Sequence, residues 1–119
     1  MADAPAGTPT ISTHVLDTEL GTPAVGIHVT LFKLGEDERP IRLTQALTDA
    51  DGRVRDLLER PMSPGTYRLE FSLGGRTVPD ADARFFQRVT VDLRIEDVGR
   101  SYHVPLLLAP YSMTTYRGS

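Results

Sequence analysis

The chain has 119 residues, of which 39% are hydrophobic and 24% charged, and its formal net charge is -3. This length suits one compact domain with a core of its own and is too short for two. The 13 Lys and Arg residues are outnumbered by 16 Asp and Glu, so the chain has no excess of positive charge to attract a phosphate backbone. Nucleic acid is therefore excluded as the expected partner. The sequence has no Cys, which excludes disulfide scaffolds, thiol nucleophiles and thiolate zinc sites.

The first residues differ in character from the rest of the chain. Residues 1–9 are rich in Ala, Gly and Pro without periodicity, and they are predicted to be a disordered leader before a domain at 10–119. They lack the positive and apolar segments of a secretion signal. No apolar run approaches the roughly 20 residues that span a bilayer. These features predict a soluble, cytoplasmic protein with no membrane partner.

Short alternating runs separated by Gly, Pro and Asp follow, and they are typical of an all-β domain. In residues 67–73, for example, large apolar residues alternate with Arg68, Glu70 and Ser72, so that one face packs and the other meets water. We predict eight strands, packed as a β-sandwich of two sheets of about four strands each. They lie near residues 10–18, 27–34, 41–48, 53–56, 67–73, 87–95, 102–108 and 112–117. A short helix fits only at 74–86.

Two histidines fall in predicted strands that have one apolar face and one face of mixed polarity, and each histidine lies on the mixed face. His103 shares its predicted face with Pro105 and Leu107, and His14 shares its face with Leu16. Such faces favour a subunit interface or a pocket floor. A single histidine within a strand is nevertheless more often a hydrogen-bonded structural residue than a catalytic one, so both interpretations stay open on the residues alone.

Nothing else in its predicted strand marks His28 as a site residue, so it is interpreted as structural or surface-exposed. The three histidines lie on three separate predicted strands, without a short ligand spacing such as His-x-His. We therefore predict no metal site and no cofactor.

The segment DADGR at 49–53 resembles a calcium loop only superficially. It lacks the third oxygen ligand before its Gly and the closing Glu that such a loop requires, so it is predicted to be a hairpin turn. Arg53 is the last residue of this turn, directly after Gly52, where a rigid backbone would present its guanidinium as a preorganised fork for a carboxylate or a planar anionic ring. The alternative is an ordinary solvated turn arginine.

Four motifs together resemble one known family, the 5-hydroxyisourate hydrolases, which are transthyretin-like enzymes of urate breakdown. They are ISTHVLDTELGTPA at 11–24, TDADGRV at 48–54, SYHVPLLLAP at 101–110 and the terminal TTYRGS at 114–119. The match runs from about residue 11 to residue 119 in the same order. The terminal motif together with the two histidine motifs distinguishes the hydrolases from the transthyretins, which share the fold and carry hormones.

The resemblance implies a sandwich of two four-stranded sheets with one short helix, assembled as a homotetramer that is a dimer of dimers, with active sites at the dimer-dimer interface. Pro79 and Asp80 stand where the family has an aromatic-rich helical stretch, which predicts a shortened or rewound helix. The implied catalytic residues are His14, Arg53, His103 and Ser119. Substrate binding is carried over to Arg53, Tyr116, Arg117 and Gly118.

The implied reaction is hydrolytic ring opening of 5-hydroxyisourate to 2-oxo-4-hydroxy-4-carboxy-5-ureidoimidazoline. An imidazole can remove a proton from the attacking water near neutral pH, a role we assign to His14 or to His14 and His103 together. Arg53 can hold the ring and stabilise negative charge on the attacked oxygen. Ser119 adds a hydroxyl, and its terminal carboxylate is expected to orient a histidine or the water. The alternative is a non-catalytic transthyretin-like carrier that binds a small aromatic ligand in the tetramer channel.

Overall fold

The structure is a computed structural model that describes residues 8–73 and 85–118. These residues form two β-sheets, and all the strands they contain are named here in chain order. The strands are β1 (Ile11–Asp17), β2 (Thr22–Pro23), β3 (His28–Leu34), β4 (Pro40–Leu47), β5 (Arg53–Val54), β6 (Gly65–Ser72), β7 (Arg88–Ile95), β8 (Tyr102–Leu108) and β9 (Met113–Thr115).

The two sheets differ in how their strands are paired. One sheet has the order β4-β3-β6-β7, and its neighbours are all antiparallel. The other has the order β2-β1-β8-β9, with β5 also paired to β1. Its central pair, β1 and β8, is parallel, although residues 18–101 separate the two strands along the chain. This pairing brings the two histidine motifs side by side.

Alternation of apolar and polar residues places the core between the sheets, as predicted. On β6 the side chains of Tyr67, Leu69 and Phe71 are fully or almost fully buried, whereas the intervening residues are half-buried. On β1 the buried residues include Ile11 and Val15. Each such side chain contributes about 1.5–3 kcal/mol by leaving water. The β-sandwich is therefore confirmed, and its core fixes which face of β1 and β8 points outward.

Two local predictions differ from the structure. Residues 22–23 lie outside the predicted strands but form β2, because Leu16 pairs with Pro23 and the amide of Ala24 donates to the carbonyl of Val15 at 2.9 Å. The 49–53 turn was predicted to close a hairpin, but it connects the two sheets: β4 pairs with β3, whereas β5 pairs with β1. The sheet that contains β1 thus has five strands rather than four.

Three predictions concern segments that lie largely or wholly outside the described residues: the leader at 1–9, the helix within 74–86, and the position of Ser119. Among the residues that are described, no helix is long and apolar enough to cross a membrane.

Candidate active site

His14 and Arg53 are direct cross-strand neighbours, because β1 and β5 pair with His14 opposite Arg53. The turn before β5 holds Arg53 in place through Asp49, whose carboxylate accepts backbone hydrogen bonds from Asp51 at 2.8 Å and from Arg53 at 3.0 Å. The bond from the Arg53 amide is the main reason why the pKa of Asp49 is lowered from its ordinary value. Arg53 therefore sits on a preorganised backbone, as the sequence suggested.

Gly52 lets this turn pack directly on β1. Its φ of 75° lies in the left-handed region that favours glycine. Its carbonyl accepts a hydrogen bond from the amide of Val15 at 2.7 Å. A Cβ at this position would lie 2.4 Å from the carbonyl oxygen of Val15. Only glycine allows this close approach, which sets the distance between Arg53 and the strand that carries His14.

His103 lies on β8 beside β1, directly opposite Ser12. Its Nδ1 is 2.8 Å from the hydroxyl oxygen of Ser12, in a half-buried position. Burial is the main cause that lowers the pKa of His103 below its ordinary value of 6.5, and the neighbouring Arg53 and then His14 lower it further. The imidazole of His103 is therefore held neutral at physiological pH.

The segment that follows β9 is bound to β8 up to residue 118. The Gly118 amide donates to the carbonyl of His103 at 2.7 Å, and the guanidinium of Arg117 lies 5.5 Å from the ring centroid of Tyr102, in cation–π range. A Cβ on Gly118 would be 2.8 Å from Cδ2 of His103. Gly118 thus packs against one edge of the imidazole while Ser12 bonds the other.

The structure brings together His14, Arg53, His103 and Gly118. His14 and Arg53 border an open surface pocket, which is completed by Leu16, Pro23, Asp51 and Arg55. His103 does not border this pocket, but its imidazole is close enough to Arg53 and His14 for both residues to affect its pKa. Tyr116 and Arg117 line a different pocket, between β7 and β8. Ser119 lies outside the described residues.

Two groups near these residues were not singled out from the sequence. Arg55 follows Arg53 by two positions, a spacing that could have indicated a second guanidinium beside the same pocket. Ser12 precedes His14 by two positions and shares its face of β1, but its contact with His103 depends on how β1 and β8 are aligned. Arg53 and Arg55 place two guanidinium groups in this pocket, and the second is paired with the Asp51 carboxylate at 3.3 Å. A positively charged pocket near a neutral imidazole suits an electron-rich ring and a proton transfer.

No three His, Asp or Glu side chains in residues 8–73 and 85–118 are placed to hold a metal ion together. The expectation of a metal-free site stays a prediction.

The fold and the site define a transthyretin-like sandwich that carries a His, Arg and His cluster on the outer face of one sheet. The HIUase/Transthyretin family model matches residues 11–118, and the chain belongs to this family.

Relatives named 5-hydroxyisourate hydrolase share much of the sequence. The chain is 41% identical to the one from Deinococcus radiodurans over 119 residues, covering 96% of this chain and 99% of that protein. It is 42% identical to the one from Ralstonia nicotianae over 118 residues, covering 92% and 97%.

Two solved structures have similar folds. The Klebsiella pneumoniae 5-hydroxyisourate hydrolase has a TM-score of 0.77 and 36% identity, with 93% of this chain and 99% of that chain covered. Sea bream transthyretin in complex with thyroxine has a TM-score of 0.82 and 27% identity, with 91% and 93% covered. The fold is therefore shared by a protein named as a hydrolase and by a transthyretin solved with thyroxine, so only the site residues can distinguish the two functions.

Proposed function

We propose that this protein is a 5-hydroxyisourate hydrolase that opens the six-membered ring of its substrate with water. The observation that carries the proposal is the convergence of His14, Arg53 and His103 from β1, β5 and β8 on one face of the sheet. The family membership and the hydrolase relatives support it.

In the proposed mechanism a neutral imidazole removes one proton from water while the hydroxyl adds to a ring amide carbonyl. The tetrahedral intermediate then expels the ring nitrogen, which takes the proton back from the imidazolium. The lowered pKa of His103 suits this role, because a base must be unprotonated when the water arrives. His14, opposite Arg53, shares the role or orients the water.

Arg53 binds the electron-rich ring and stabilises the negative charge that develops on the attacked oxygen. Its backbone is fixed by Asp49 and Gly52, so little reorganisation accompanies the reaction. The proposal also includes Ser119, the residue after Gly118, whose hydroxyl and carboxylate are kept from the family resemblance. Substrate contacts for Tyr116, Arg117 and Gly118 are kept from the family resemblance.

A homotetramer, organised as a dimer of dimers, is part of the proposal. β7 and β9 are the last strands of their sheets, and Val91 on β7 is only half-buried. Leu20 and Tyr111 are 71% and 78% exposed. The amide of Thr18 donates a hydrogen bond to the carbonyl of Leu108, at the end of β8. This bond brings the segment that carries Leu20 near the segment that carries Tyr111. Exposed apolar groups of this kind favour contact with further copies of the chain. A cytoplasmic location also remains a prediction.

A direct assay tests the activity. 5-Hydroxyisourate is generated from urate with a urate oxidase, and its absorbance decay is followed with and without the purified protein. We expect the decay to be much faster with the protein present. Decay at the spontaneous rate, together with retention of an aromatic ligand on equilibrium dialysis, would instead support the carrier alternative.

A further inference from the structure

Ser12 lies beside His103 without any role assigned so far. β1 and β8 run parallel with Ser12 directly opposite His103, so both side chains project from the same outer face. The Ser12 hydroxyl oxygen is 2.8 Å from Nδ1 of the imidazole, a normal hydrogen-bond distance. The contact is half-buried and joins two core-anchored strands, which keeps the two groups in register.

The ring of His103 is held from both sides. Nδ1 faces Ser12 on β1, while Gly118 packs so close to the opposite edge that a Cβ there would be 2.8 Å from Cδ2. Nε2 lies at the far end of an imidazole from Cβ. Ser12 engages Nδ1 and no described residue hydrogen-bonds Nε2, so Nε2 is the ring nitrogen left to a water or a substrate.

The contact with Ser12 is compatible with two tautomers of the His103 ring, and they leave different nitrogens free to accept a proton. A neutral imidazole carries one proton, on Nδ1 or on Nε2, and the hydrogen bond made by one nitrogen sets the state of the other. Burial, Arg53 and His14 disfavour added positive charge on this ring, so it carries a single proton. A proton on Nδ1, bonded to the Ser12 oxygen, leaves the Nε2 lone pair free to accept a proton.

We propose that Ser12 is a positioning residue that accepts the Nδ1 proton of His103 and so presents Nε2 as the proton acceptor in hydrolysis. This proposal rests on the proposed function, because it assigns the tautomer of a histidine in the same site. Ser12 itself need not touch the substrate.

The experiment compares Ser12→Ala with Ser12→Thr, which keeps a hydroxyl on the strand, and with Ser72→Ala as a matched control. Ser72 is half-buried on β6 of the other sheet, away from the site. We expect Ser12→Ala to lower kcat by roughly tenfold or more, with a smaller change in KM, because the loss of such an orienting partner typically has effects of this size. Ser12→Thr should restore most of the rate, and Ser72→Ala should leave it unchanged.

The tautomer is read independently of activity from nitrogen-15 NMR of the His103 ring. In the unaltered protein we expect Nδ1 to carry the proton, and in Ser12→Ala we expect the Nε2-protonated form to grow. An Nε2-protonated ring in the unaltered protein, or a Ser12→Ala variant with undiminished kcat, would overturn the proposal. An inactive unaltered protein would contradict the proposed function instead, and the NMR result would still decide what Ser12 does to the ring.

Discussion

The protonation of His103 depends on three neighbours on two strands, Ser12 and His14 on β1 and Arg53 on β5. Burial, Arg53 and His14 all lower its pKa, while Ser12 bonds its Nδ1. The imidazole should therefore stay neutral at a pH somewhat below 6.5, and hydrolysis should decline only when the pH falls through this lowered pKa. A free histidine would already be half-protonated at 6.5.

Replacing Arg53 tests whether the charge of its guanidinium lowers the pKa of His103. Arg53→Gln removes the charge and should raise the pKa of His103, whereas Arg53→Lys keeps the charge and should leave it lower. NMR titration of the ring measures both without relying on turnover. Identical titration midpoints in the two variants would mean that the guanidinium charge does not act on His103.

Replacing Gly118 tests how closely the terminal segment packs against the His103 imidazole. Ala at this position places a Cβ against Cδ2 and the backbone carbonyl of His103, so either the ring or the terminal segment must move. We expect kcat/KM to fall by roughly 10- to 100-fold, because small displacements of reacting groups have effects of this size.

Gly99→Ala is the control for this prediction, since its Cβ would meet only the end of the Asp97 side chain, at 3.3 Å. Stability should change little in both variants. Full activity of Gly118→Ala would contradict close packing at this ring edge.

Among the structural elements, the turn between β4 and β5 depends most strictly on a glycine. Gly52 needs a positive φ and also meets the backbone of Val15, whereas Gly21 has a positive φ of 72° but nothing within 4 Å. Ala at Gly21 should cost about 1–2 kcal/mol of unfolding free energy from the backbone conformation alone. Ala at Gly52 should cost more, because the clash adds to the strain.

Urea unfolding of the two variants at equal protein concentration measures the difference. Equal losses of stability would show that the contact with Val15 contributes nothing, and would weaken the claim that this turn fixes Arg53.

Alternation within single strands was sufficient to predict the sandwich, the buried faces of β1, β6 and β8, and the outward position of both histidines. Pairing between distant strands was not predictable in the same way. β2 is only two residues long and is defined by its partner, not by its own pattern. The Ser12–His103 contact joins residues 91 positions apart and depends on a parallel register that no local signal encodes.

At the scale of the whole molecule, the proposed tetramer is tested by measuring the mass of the protein in solution. We expect sedimentation to give the mass of four chains. Leu20→Glu and Tyr111→Glu should reduce that mass, because each places a charge on an exposed apolar site proposed to be covered. Ile41→Glu is the control, since Ile41 is 57% exposed on β4, in the other sheet. A monomer mass at all concentrations would contradict the proposed tetramer.

The central claim is that His14 and His103 act together in hydrolysis, and the third histidine of the chain provides its control. His28 is exposed at the start of β3, in the sheet that does not contain the site. The decisive measurement is kcat/KM for 5-hydroxyisourate in His14→Ala, His103→Ala and His28→Ala. We predict losses of about 100-fold or more for the first two, as expected for removal of a general base, and less than about twofold for the third. Near wild-type rates in either His14→Ala or His103→Ala would contradict the account.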